Sequence, residues 1–339
     1  TVGARNQPDF MAVIRKQQTQ RKTSRWFLLL SRYQTLSLCF CAAAALLAYR
    51  RFTTMQSVRA AAASPMVPQS YKLLQKTKLS HDSYLLRYEI QGRKLLGLAP
   101  AIPTCIKVDY PGGVNEKTGQ PKVLSKSYSP VSHPNTEGTF DLIVKAYPNR
   151  PGGGVGKYIC DMKEGDSIRA TLKKQRIMHG SALVEQRWKH VGLVAGGTGI
   201  APLLQIARIL LESNGETKIH LLFINHTEDD ILCRAMIDSL AKQHANQFTV
   251  HYSVTNQQDA PTNFLQGRGD VSMVQKALPK PTDPNVMVFV CGRDGFVAHW
   301  AGPVARAPSE NGKKGPKIQG PLLGVLADSG FSADQVFKY

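Results

Sequence analysis

Residues 191–202 read VGLVAGGTGIAP and lead into the apolar run LLQIARILL. A strand, a glycine-rich turn and a helix in that order aim backbone N–H groups and the positive end of a helix dipole at an anion. Gly196, Gly197 and Gly199 flank Thr198 and allow close backbone approach. Pro202 falls in the first helical turn, where its missing N–H costs nothing. The turn is not a Walker loop, because no Gly-Lys-Ser/Thr follows, and Pro202 stands where the third glycine of GxGxxG would fall. The anion that fits is the pyrophosphate of a dinucleotide; the bland alternative is a structural turn. After the next apolar run comes NHTEDD. Its Glu228, Asp229 and Asp230 either accept from a ribose 2′-hydroxyl, favouring NADH over NADPH, or cap a helix beginning near Ile231.

Other chemistries lack their residues. The six cysteines, at 39, 41, 105, 160, 233 and 291, form no CxxC, and the nine histidines show no paired metal spacing. There is no GxSxG elbow. A disulfide framework, structural zinc and a serine hydrolase are therefore disfavoured, and redox or transfer chemistry here needs a bound organic cofactor. The net charge of +19 points to an acidic protein partner or anionic lipid, or merely to a targeting segment plus a solvated surface. Nucleic acid is excluded as a partner, since neither zinc-finger spacing nor a basic–aromatic strand signature is present.

The elements that must position these residues fall into three stretches. The first, 1–65, is basic: ten Lys or Arg up to Ala60 face Asp9 alone. Within it, WFLLLSRYQTLSLCFCAAAALLAY (26–49) is long enough for a membrane helix, although Arg32 and Gln34 interrupt it. An Arg-, Ser- and Thr-bearing start poor in acids suits a mitochondrial address, with the endoplasmic reticulum membrane as the alternative. In the second stretch, 71–182, the runs SYLLRYEI, CIKVDY, TFDLIVKAY and DSIRATL are separated by turns and predict an antiparallel β-barrel. In the third, 187–339, the strands HVGLVAG, KIHLLFIN, FTVHYSV and NVMVFVC alternate with helical PLLQIARILLES and DILCRAMIDSLAKQ. That alternation predicts an α/β, doubly wound parallel sheet.

KSYSPVS (126–132), GGTGIAP (196–202) and CGRDGF (291–296), in that order, resemble the ferredoxin–NADP reductase superfamily and within it the NADH–cytochrome b5 reductases. LSHDSYLLRYEI, YICDMKEGD and NHTEDDILCR extend the resemblance, which runs from about Leu73 to the C-terminus. It implies a barrel that binds FAD, a following domain that binds NADH, and an acidic haem protein such as cytochrome b5 as acceptor. NADH gives two electrons as hydride, a haem takes one at a time, and a flavin joins the two. By this resemblance Tyr128 and Ser129 lie against the isoalloxazine, with Ser129 near its reactive nitrogen, and Lys145 and Tyr147 line the rest of the flavin. Cys291, with Gly292 and Phe296 after it, comes near the nicotinamide, and Tyr339 packs beside the active site. The resemblance thus makes Ser129 and Cys291 the catalytic pair.

Departures from the family pattern gather on the flavin phosphate. Lys126 replaces the arginine of the RxYS/T motif, keeping charge and losing the bidentate fork. Gly156 stands where a serine or threonine hydroxyl is usual and Gly154 where a basic residue is common. Gly153, Gly154 and Gly156 can still offer backbone N–H groups, with Lys157 as a nearby charge. Three readings follow. The chain is a membrane-anchored reductase passing electrons from NADH through FAD, a retired subunit with the reductase fold inside a respiratory membrane assembly, or an NADH-binding sensor. Lys126 conserves charge and Tyr128 and Ser129 are retained, which favours the first.

Overall fold

The computed structural model describes residues 67–92, 95–96, 103–114, 118–147, 154–173, 188–213, 216–257, 259, 261–308, 315 and 317–339. The expected membrane helix at 26–49 lies outside them, as does Gly153. Among the described residues no helix is long and apolar enough to cross a membrane.

Alternation builds the first sheet. Strands β1 (Gln69–Lys78), β2 (Ser83–Glu89), β3 (Cys105–Val114), β4 (Pro121–Tyr128), β5 (Thr139–Lys145) and β6 (Ser167–Lys173) lie in the order β4-β3-β6-β1-β2-β5. All five pairings are antiparallel. A bridge between Pro130 and Leu142 brings the β4 end to β5, so the sheet curls shut as a barrel. Inward-facing Leu73, Leu86, Tyr88, Ile106, Val108, Phe140, Leu142 and Ile168 form its core. Phe140 meets Tyr71 edge-on at 5.1 Å and stacks with Tyr88 at 5.4 Å. Helix α1 (Gly154–Asp161) buries Val155 and Ile159 in the same cluster. Two strands, β1 and β4, exceed the sequence expectation: QSYKLLQKTK and PKVLSKSY show water mostly polar side chains, and backbone pairing rather than an apolar face makes them strands.

The second sheet is parallel throughout. It comprises β7 (His190–Gly196), β8 (Lys218–Asn225), β9 (Phe248–Val254), β10 (Leu265–Gln266), β11 (Val286–Cys291) and β14 (Val336–Lys338). The order is β10-β9-β8-β7-β11-β14. Short β12 (Ala305–Arg306) and β13 (Lys317–Ile318) form a hairpin before β14. Helix α2 (Ile200–Ser213) packs on one face, and α4 (Val271–Ala277), α5 (Asp294–Ala301) and α6 (Gly324–Asp328) pack on the other. Helix α3 (Arg234–Gln243) starts three residues later than the expected Ile231. The reason is local: Cys233 holds a left-handed φ of 57°, while Ile231 and Leu232 are drawn into the core.

Strand order reverses between β7 and β11. In open parallel sheets the crevice outside the strand ends at such a switch is where ligands bind. The glycine turn ends β7 and CGRDGF ends β11, so both motifs arrive at this one place.

Candidate active site

Close backbone contact makes the nucleotide side. Gly197–Gly199 is a 3₁₀ turn running straight into α2, with Gly197 at a φ of 53° that suits glycine. A Cβ on Gly199 would strike the Cys291 carbonyl and lie 2.7 Å from the Gly292 nitrogen, so the loop rests on the end of β11. A Cβ on Gly196 would stand 2.8 Å, and one on Gly292 2.5 Å, from the Phe296 ring, which is wedged between the two turns. Thr198 lies within the turn and Pro202 in the first turn of α2. Cys291 is half-buried beside Ala195 of β7. Tyr339 follows β14, its N–H donating to the Val290 carbonyl at 2.9 Å and its ring 5.7 Å from Phe337, which sets it next to Cys291.

The barrel side gathers cations around aromatic rings. Lys126 Nζ lies 5.6 Å from the Tyr128 ring centroid and 5.5 Å from that of Tyr147. Lys145 lies 6.0 Å and Arg293, from the β11 turn, 5.6 Å from the same Tyr147 ring. Tyr147 itself adopts a φ of 48°, a strained state for a non-glycine residue that persists only where surroundings enforce it. Ser129, half-buried, follows Tyr128 at the end of β4. Lys145 Nζ pairs with Asp82 at 2.7 Å. Burial pushes the Asp82 carboxyl up, but the Lys145 hydrogen bond and charge outweigh it and hold it below the ordinary range. Burial raises the Tyr128 phenol, whose hydroxyl has no hydrogen-bond partner among the described residues.

At the phosphate end the departures have a structural counterpart. The Cβ direction of Gly156 is filled by the Lys145 carbonyl, so the close seat of α1 on β5 leaves no room for a hydroxyl side chain. Gly154 opens α1 at a φ of 67°. The positive end of the α1 dipole lies at this point, where an anion is favoured. Lys157 forms an ion pair with Asp161 one turn on.

The acidic triad divides its work. Asp230 Oδ2 accepts from the Thr227 amide at 3.2 Å and its hydroxyl at 3.0 Å, a capping box for the 3₁₀ turn at Glu228–Asp230. Its other oxygen meets His81 Nδ1 at 3.3 Å, and His81 Nε2 meets Asp82 at 3.3 Å. Glu228 pairs with Arg234. Asp229 is the exposed member, beyond the end of β8. The cap that sequence offered as an alternative is thus real for Asp230, although it closes a 3₁₀ turn ahead of α3.

Sequence reading missed the contribution of Arg293, visible only as a departure within CGRDGF, and the Asp82–His81 bridge. It also missed Gln205 and Arg208, two polar residues in an otherwise apolar helical run. A buried phenol with no hydrogen-bond partner among the described residues, three cations around one ring and the start of a helix suit a ligand joining an aromatic ring system to phosphates, and flavin dinucleotide meets that description.

Comparison with known proteins bears on both halves. Residues 70–173 match the oxidoreductase FAD-binding domain family and residues 193–301 the oxidoreductase NAD-binding domain family. The NADH-cytochrome b5 reductase-like protein of Arabidopsis thaliana is 32% identical over 273 residues, covering 79% of this chain and 76% of that one. NADH-cytochrome b5 reductase 2 of Yarrowia lipolytica is 34% identical over 278 residues, 79% of this chain and 84% of that one. The fold is shared with the cytochrome b5 reductase domain of Ulva prolifera nitrate reductase, at a TM-score of 0.61 and 24% identity over 80% of this chain and 97% of that one. It is shared too with the CS-b5R domains of human Ncb5or, at a TM-score of 0.57 and 20% identity over 82% and 70%. The barrel is an FAD-binding domain, the parallel sheet is an NAD-binding domain, and the chain is an oxidoreductase.

Proposed function

We propose that this chain, which belongs to the NADH–cytochrome b5 reductase family, passes electrons from NADH through FAD to a one-electron haem acceptor of the cytochrome b5 kind. The observation that carries this reading is the meeting of the two halves at the switch point. Tyr147 of the barrel faces Arg293, two residues past Cys291, while Gly199 rests on Cys291 itself. Bound FAD supplies the conversion of a two-electron hydride into single electrons. The chain's own residues hold, orient and shield. Lys126, Lys145 and Arg293 offer positive charge beside the Tyr128 and Tyr147 rings, and the start of α1 offers the positive end of its dipole to phosphate. Ser129 would stand at the flavin edge, and Gly196, Gly197, Thr198, Gly199 and Pro202, in and beside the 3₁₀ turn, would seat the nucleotide pyrophosphate. Cys291, Gly292, Phe296 and Tyr339, which gather at the end of β11, would wall the nicotinamide side.

The reading extends to membrane attachment through residues 26–49 and to a mitochondrial membrane as its location, supported by the basic, acid-poor start of the sequence. The +19 charge supports electrostatic steering of an acidic haem protein. The test is the rate of cytochrome b5 reduction by NADH at rising salt. The reading expects a rate that falls steeply as salt screens the encounter, and a flat profile contradicts the steering.

A further inference from the structure

Helix α2 begins at the nucleotide loop and is apolar almost all round, because it is buried on two sides. One side is its own sheet. The other meets the barrel, since Leu85, Val131 and Ile143 share its cluster within the single unit spanning Ala61–Tyr339. Polar residues on such a helix need partners, and those of α2 find them on the flavin domain. Gln205, 7% exposed, donates through Nε2 to the Pro130 carbonyl at 2.5 Å and accepts at Oε1 from the Thr104 amide at 3.0 Å. Arg208, one turn on, donates to the Val131 carbonyl, and Glu212, a turn further, meets His133 Nε2 at 2.5 Å.

The segment gripped is 130–133, which immediately follows Tyr128 and Ser129. It is also where the barrel closes, through the Pro130–Leu142 bridge and the Val131 amide donating to Asp141 at 2.9 Å. One rigid helix therefore ties the nucleotide loop, at its start, to the strand end that carries the flavin-edge serine, two turns later. A single amide side chain satisfies two separate barrel backbone groups while doing so.

We propose that Gln205, seconded by Arg208, is a positioning residue for hydride transfer: it sets the distance between the nucleotide loop at Gly197–Gly199, which would seat the pyrophosphate, and the flavin edge at Ser129. The proposal rests on the reductase reading above. Neither side chain reaches the reacting atoms, so both act through the backbone they hold. Near-attack geometry is sensitive, with a 1 Å displacement costing on the order of 10²-fold in rate.

The test compares the wild type with Gln205→Met, which keeps the length and loses both hydrogen bonds, and with Arg208→Ala and Arg208→Lys. Three quantities are read: FAD content and NAD⁺ affinity by calorimetry, anaerobic flavin reduction by NADH in stopped flow, and amide hydrogen exchange at Val131 and Ser132. Expected are FAD and NAD⁺ binding within twofold of wild type and flavin reduction slowed roughly 10–100-fold in Gln205→Met and Arg208→Ala. Arg208→Lys, which retains a donor for the Val131 carbonyl, should return to within about threefold. Exchange at Val131 and Ser132 should quicken at least tenfold in Gln205→Met. Unchanged reduction overturns the proposal, and so does loss of FAD or NAD⁺ binding in step with the rate, which marks a merely structural contact. A wild type that binds both ligands without reacting overturns the reductase reading instead. Exchange then decides the clamp alone, and unaltered protection in Gln205→Met overturns it.

Discussion

Replacing Gly199 by alanine puts a methyl group where the structure has backbone. The new Cβ would lie 2.5 Å from the Cys291 carbonyl carbon, closer still to its oxygen, and 2.7 Å from the Gly292 nitrogen. Ordinary contact needs about 3.5 Å, so loop and strand end must part by roughly 1 Å. No flexible side chain can turn aside, because all three atoms are backbone. Overpacking of this kind costs about 1–3 kcal/mol, a fall in Tm of roughly 3–10 °C. The same 1 Å separates the nucleotide seat from Cys291 and should slow flavin reduction about 10²-fold. Gly197→Ala is the matched control. Its φ of 53° strains an alanine by about 1 kcal/mol, yet nothing lies within 4 Å of the added Cβ. That variant should lose some stability and need more NADH for half-saturation, because its methyl group faces the pyrophosphate seat, yet keep its limiting rate at saturating NADH within about threefold. Stopped-flow reduction by NADH and thermal melts of both variants make the comparison. A Gly199→Ala protein that reacts as fast as Gly197→Ala would refute the claim that the glycine loop and Cys291 form one site.

Three further outcomes are expected. Lys126→Ala should release FAD about tenfold more readily on dilution, measured by flavin fluorescence, because a phosphate beside Tyr128 and Tyr147 loses a cation; unchanged retention removes Lys126 from the site. Asp229→Arg should shift the kcat/KM ratio of NADPH to NADH upward by tenfold or more, since the exposed acid beyond β8 would no longer repel a 2′-phosphate; a constant ratio places the ribose elsewhere. The third concerns acid stability. Burial, with His190 and His251 nearby, lowers the His220 imidazole from 6.5 to about 4. The unfolded chain thus binds a proton between pH 6.5 and 4 that the folded protein refuses, so stability is full above 6.5 and declines as pH falls through that window. After allowance for partial solvent screening the loss is on the order of 1–2 kcal/mol. Denaturant titrations at pH 7.5 and 4.5 should show it, and His220→Gln should flatten it.

What could be read from the sequence was whatever a local pattern records. Apolar runs such as HVGLVAG and NVMVFVC mark strands buried on both faces, and glycine spacing marks a turn that must approach backbone. Strand β4 was opaque because an exposed edge strand has no apolar face to display; its pairing with β3 supplies what PKVLSKSY does not. The start of α3 was misread because the left-handed Cys233 depends on tertiary burial of the two residues before it. The role of Asp230 was legible only as two alternatives, and the Thr227 geometry decides which hydrogen bonds it makes. Gln205 and Arg208 carried a faint signal, polar residues three apart in an apolar helix, but their partners lie seventy or more positions away. No spacing rule connects such residues. The flavin phosphate end was legible as a set of departures, and the structure adds the reason Gly156 must be small.

The most direct measurement is the visible spectrum of the gently purified protein before and after anaerobic addition of NADH. The account predicts flavin absorbance near one FAD per chain, bleached by a stoichiometric amount of NADH and restored by oxidised cytochrome b5. A protein that stays colourless after incubation with FAD, or whose flavin bands persist under excess NADH, would contradict it.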